Sequence, residues 1–102
     1  MSTLETLTAR VSGAVGENCG LGRTMKFDFG NDGAIFIDAK TVPNIVDNRA
    51  DKADCNVAVK FTDFVAIAEG RMDSMMAFMQ GKMKVSGDMT VAQRLTPILK
   101  RI

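Results

Sequence analysis

Methionine is the residue whose density first raises a chemical question. Of eight in the chain, five (Met72, Met75, Met76, Met79 and Met83) fall within twelve positions. A thioether is unbranched and polarisable, so it adapts to irregular apolar shapes. Isolated methionines fill gaps in a core. This concentration, with Phe78 inside it, points instead to an adaptable apolar surface or cavity.

The residues of catalysis and metal binding are sparse. The chain has no histidine, which excludes His-based triads, His metal sites and the usual pH switch. Cys19 and Cys55 lie far apart, with no further Cys or His to complete a zinc site and no evident activating base. Cys55 is expected in the core and Cys19 in a loop. Asp47, Asp51 and Asp54 fail as a calcium loop. Counted from Asp47, Arg49, Lys52 and Ala58 stand where a ligand, a turn glycine and a bidentate glutamate are needed. Gly20-Leu21-Gly22-Arg23-Thr24-Met25 has Met where a dinucleotide loop needs Gly, and it precedes a strand instead of following one. Asp28 and Asp38 are expected as neighbours across a hairpin, on a solvated face. No catalytic residue, metal or cofactor is therefore expected.

Charge is unevenly spread. Residues 82–102 hold five bases (Lys82, Lys84, Arg94, Lys100, Arg101) against one acid, while residues 1–81 hold eight bases and eleven acids. The basic segment reads either as a solvated face or as an attraction to anionic lipid headgroups, at about 1 kcal/mol per basic group near such a membrane. A net charge of +1 and the lack of Tyr and Trp argue against nucleic acid as a partner.

These residues must be positioned by one domain, residues 1–102, since the length supports a single core. Hydrophobic residues at 46% and charged residues at 25% suit a soluble globular chain. No apolar run approaches the ~18 residues of a membrane span. Met1-Ser2-Thr3-Leu4-Glu5 lacks a secretory start, so a reducing, cytoplasmic setting is expected.

Residues 3–16 read as a helix through Leu4, Leu7, Val11, Ala14 and Val15. Met25–Phe29 alternates as a strand, Gly30–Gly33 turns, and Ala34–Asp38 returns. A weaker strand is expected near residues 44–48 after Pro43, and another at 55–59. Thr62 is placed to cap a helix reaching about Glu69, with Phe64, Ile67 and Ala68 on one side. Asp73 caps a short helix, Ser74 to Gln80, and Lys82–Ser86 forms a strand whose Met83 and Val85 share a face. Asp88 caps a last helix striped by Val91, Ala92, Leu95, Ile98, Leu99 and Ile102, with a kink or early end expected at Pro97. The order is that of an α+β fold with helices on one sheet face.

The stretch Ala77-Phe78-Met79-Gln80-Gly81-Lys82-Met83-Lys84-Val85-Ser86-Gly87-Asp88 resembles the A-F-M-x-G-K-[LM]-K-[IV]-x-G-D core of the sterol carrier protein type-two domain family. The layout of elements is similar over nearly the whole chain. The resemblance implies a five-stranded, mostly antiparallel sheet, helices covering one face, and an apolar tunnel between the two layers. Such a tunnel would take fatty acids, fatty acyl-CoA, phospholipids or sterols. Eukaryotic members often end in a peroxisomal Ser-Lys-Leu-like tripeptide. This chain ends Lys100-Arg101-Ile102 and looks like a stand-alone bacterial-type member. On facing and family position the lining is expected from Phe36, Phe64, Ile67, Met75, Met76, Phe78, Met79, Met83, Val85 and Leu95. Lys82, Lys84 and Arg94 are expected to meet an anionic headgroup or a membrane surface.

The expected function is non-enzymatic lipid binding and carriage. Burying a dozen methylenes gives roughly 10 kcal/mol gross, and the cost of association lowers this to something like micromolar affinity. The alternative is a protein-interaction or accessory module using the Met-rich surface. An enzyme is disfavoured by the missing histidine and the failed cofactor loops. The lipid's identity and the oligomeric state stay open.

Overall fold

The computed structural model describes residues 3–17 and 19–101. Leu7, Val11, Ala14 and Val15 recur at helical spacing and form the buried face of α1 (Leu4–Val15). Thr3 caps it, its Oγ1 accepting the Thr6 N–H at 3.1 Å.

The alternating segment forms β1 (Thr24–Asp28), and after a 3-10 turn the chain returns as β2 (Ala34–Asp38). Their antiparallel register pairs Met25 with Ile37 and Phe27 with Ile35, so these four share one face. The same register pairs Asp28 with Ala34 and Thr24 with Asp38. Asp28 and Asp38 therefore stand at opposite ends of the hairpin, and the expectation of neighbouring carboxylates is corrected. Short β3 (Ile45–Asp47) adds an edge beside β2. β4 (Cys55–Val59) runs parallel to β1, and β5 (Met83–Gly87) lies antiparallel on β4. The five-stranded order is β3-β2-β1-β4-β5, mostly antiparallel with one parallel pair.

Helices α2 (Phe61–Ala68), α3 (Ser74–Met79) and α4 (Met89–Arg101) complete the fold. α2 starts two residues earlier than the capping signal suggested. Lys60 is its N-cap without a side-chain bond, so Thr62 lies inside the first turn. Phe61 meets Phe29 edge-on, with ring centroids 5.4 Å apart, and that packing draws Phe61 into the helix. The other two caps follow the sequence: Asp73 Oδ1 accepts the Met75 N–H at 2.8 Å, and Asp88 Oδ1 accepts the Thr90 N–H at 2.9 Å.

α4 runs on through Pro97, which corrects the expected early end. The proline removes one helical bond, but Ile98 and Leu99 just beyond it are buried, and that burial holds the last turn in line. Ile102, assigned to the same stripe, lies outside the described residues.

Met25, Phe27, Ile35, Ile37, Cys55 and Val57 face the helices and are buried with Leu7, Val11, Phe64, Val91, Leu95 and Ile98. Phe64 stacks obliquely on Phe27 and Phe29, at 4.8 and 5.1 Å between centroids. Arg10 Nη2 donates to the Ala68 carbonyl at 2.8 Å, tying α1 to the end of α2. Among the described residues no helix is long and apolar enough to cross a membrane.

Candidate functional site

α3 is six residues long and buries only Ala77. It hangs between Gly70 and Gly81, whose φ angles of 77° and 76° lie in the left-handed region that favours glycine. Its large apolar side chains therefore stay out of the core. Met75, Met76, Phe78 and Met79, joined by Met89 of α4, are between 46% (Phe78) and 74% (Met79) exposed. Most large apolar groups that the described residues leave in water are gathered here; the others, Val42 and Ile45, lie near the opposite sheet edge.

Beside α3 lies an apolar groove of about 190 Å³. Met75 and Phe78 form one wall, Val85 of β5 the floor, and Met89, Ala92 and Gln93 of α4 the other wall, with Ser74 at one end. Ser74 also borders a second hollow of about 300 Å³, lined by Ile67, Gly70, Met72, Asp73 and Leu99. Ser74, at the start of α3, thus borders both spaces.

Of the residues expected as lining, the structure brings Met75, Phe78 and Val85 together in the groove and Ile67 into the adjoining hollow. Phe64, Met83 and Leu95 are buried in the core beneath. Met76 and Met79 are on the exposed side of α3 and line neither space. Phe36 is corrected: it pairs with Lys26 and Asp47 on the sheet face turned away from the helices. The Arg49 guanidinium covers its ring at 4.7 Å, which is why it is buried without joining the core. The centre between sheet and helices is filled by side chains such as Phe27 and Phe64, so the open apolar space sits at the β5 edge.

The three cations expected at a headgroup do not line the groove. Lys82 is exposed just before β5. Lys84 pairs with Ala58 and borders Asp28 and Lys60 on the outer face. Arg94 Nη1 points at the carbonyls of Gly20 and Leu21, 3.3 and 3.5 Å away. The residues that sequence reasoning missed as lining are Ser74, Met89, Ala92 and Gln93. The last three sit at i, i+3 and i+4 along the flank of the apolar stripe on α4, and that spacing is the signal that could have found them.

The carboxyl and thiol groups whose titration the fold shifts lie outside the groove lining. Asp54 Oδ2 accepts the Thr24 N–H and the Thr24 hydroxyl, both at 3.0 Å, and Lys40 Nζ lies at 3.5 Å. The Thr24 backbone bond above all, with its hydroxyl and Lys40, holds the Asp54 carboxyl below its ordinary range. Bidentate bonding to Arg49 does the same for Asp47. Burial, with the Asp88 charge, pushes the Cys55 thiol up, in keeping with an inert core residue. Among the described residues no cluster of three or more His, Cys, Asp or Glu could hold a metal ion.

Gly87 and Asp88 close the motif for a steric reason. Gly87 has φ +93°, and a Cβ there would collide with the Asp54 carbonyl oxygen. That same oxygen accepts the Asp88 N–H at 2.8 Å. Close backbone approach at Gly87 thus aligns the end of β5 with the start of α4, and with it both sides of the groove.

The model of the SCP-2 sterol transfer family matches residues 5–100. The "Non-specific lipid-transfer protein-like 1" of Caenorhabditis elegans is 42% identical over 64 residues, which are 62% of this chain and 54% of that protein. Human "Sterol carrier protein 2" is 38% identical over 52 residues, which are 51% of this chain and 10% of that protein. The chain thus spans about half the length of the first relative and a tenth of the second. Among solved structures, palmitated Sterol Carrier Protein 2 Like 2 of Aedes aegypti superimposes with a TM-score of 0.64 at 25% identity, covering 94% of this chain and 89% of that one.

Proposed function

Because the chain belongs to the SCP-2 sterol transfer family, we propose that it binds and carries single-chain lipids in the groove between α3, β5 and α4. The observation that carries this reading is the concentration of exposed methionine and phenylalanine around an unfilled apolar space. Thioethers and an aromatic ring surround a hydrocarbon without requiring one fixed shape. The relative bound to palmitate supports the same class of ligand. A groove of about 190 Å³ is below the roughly 300–1,000 Å³ usual for small-molecule sites, which favours one acyl chain over a bulkier ligand.

The proposed role is carriage, with residues 1–102 acting as one lipid-binding unit and no bond made or broken. Lys82 and Lys84, exposed near α3 in sequence, would meet an anionic membrane surface during loading and release. A cytoplasmic setting fits Cys19 and Cys55, which are both free thiols.

The test is an NMR titration with dodecanol and with laurate. Saturable shifts confined to residues 74–93 are expected, with little change in β1 and β2. Ala92→Phe, which fills the groove, should weaken binding at least about tenfold while leaving the melting temperature nearly unchanged. Absence of saturable shifts with both lipids overturns the reading.

A further inference from the structure

From the polar groups around the groove we infer that this chain prefers lipids with a neutral, hydroxyl-bearing head over fatty-acid anions. The inference rests on the lipid-carrier reading and names the ligand class of the same site. An anionic head is held by cations, yet among the described residues no Lys or Arg lines the groove or the hollow that Ser74 also borders. Three of the cations on the surrounding segments are engaged or turned elsewhere. Arg71 Nη2 is paired with Glu69 Oε1 at 2.7 Å, Arg94 lies on the Gly20 and Leu21 carbonyls, and Lys84 is on the outer face.

What the described lining of the two spaces offers is two neutral groups that both donate and accept, and one carboxylate. Ser74, which borders both, contributes a hydroxyl, and Gln93 an amide to the groove. Pro97 has no N–H to give the Gln93 backbone carbonyl, so that oxygen lacks its usual helical donor. Asp73 lines the adjoining hollow, and its carboxylate accepts the Met75 N–H at 2.8 Å. A carboxylate brought there is acceptor-only and meets the like-charged Asp73 carboxylate, and among the described lining residues only Ser74 and Gln93 have side chains that can donate to it. An alcohol or monoacylglycerol hydroxyl donates to these acceptors and carries no charge to repel.

The experiment compares dodecanol with laurate, equal in chain length, by calorimetric titration at pH 8 and low ionic strength, where screening is least. Dodecanol should bind at least about fivefold more tightly. Asp73→Asn should raise laurate affinity and shrink that preference to about twofold or less. The asparagine oxygen can still accept the Met75 N–H, so the cap and the melting temperature should be retained. Laurate binding as tightly as dodecanol, or an unchanged preference in Asp73→Asn, overturns the inference and leaves lipid carriage standing. Failure of both lipids to bind overturns carriage itself, and the preference with it.

Discussion

Asp54 joins three segments at one carboxylate and one carbonyl. Its side chain holds the start of β1 through Thr24, and its carbonyl receives the Asp88 N–H at the start of α4. The Asp54 N–H in turn donates to the Thr24 hydroxyl at 2.9 Å. The carboxyl titrates below its ordinary 3.8 when folded, so the folded state binds fewer protons than the unfolded chain in acid. This contribution is complete above that ordinary value and is lost as pH falls through the lower folded one. Asp54→Asn should therefore cost about 1 kcal/mol at neutral pH, once solvent screening is allowed for. Its melting temperature should fall less than the native protein's as pH drops below about 4. Thermal melts from pH 7 to pH 2 read both effects, and parallel curves for the two proteins would refute the assignment.

At the scale of elements, α3 is the weakly held piece. Six residues make a marginal helix without packing, and only Ala77 supplies it. Its amides at Ala77 and Gln80, bonded to the carbonyls of Asp73 and Met76, should exchange at least about tenfold faster than those in the middle of β1 and β4. Bound lipid should slow them, as hydrogen-exchange NMR with and without dodecanol would read. What was legible beforehand followed local rules: the α1 periodicity, the β1–β2 hairpin, the Asp73 and Asp88 caps and the Met-rich segment. The misses depended on distant neighbours. The run Ala34–Ile37 is apolar on both faces, so it does not say which face meets the helices. Only the pairing with β1 and the Arg49 cover place Phe36 outside. The parallel β1–β4 pairing joins residues far apart in sequence, and turn chemistry carries no mark of it. The groove was half legible, since α3 was foreseen while the wall from α4 depends on how the two helices meet.

At the scale of the whole molecule, the methionines divide by depth. Met25 and Met83 are buried, whereas Met75, Met76, Met79 and Met89 stand in water around one edge of the sheet. An oxidant reaching this protein would mark that edge first. Peroxide transfers an oxygen to each thioether sulfur, leaving a sulfoxide and water, and turns a soft apolar lining into a polar one. Peptide mapping after mild peroxide should find those four modified while Met25 and Met83 remain intact, with dodecanol affinity falling at least about fivefold and the melting temperature little changed. Reductase treatment should restore the affinity. The adaptability that suits these side chains to a hydrocarbon also makes the binding edge the part of the protein most readily switched off by oxidative stress.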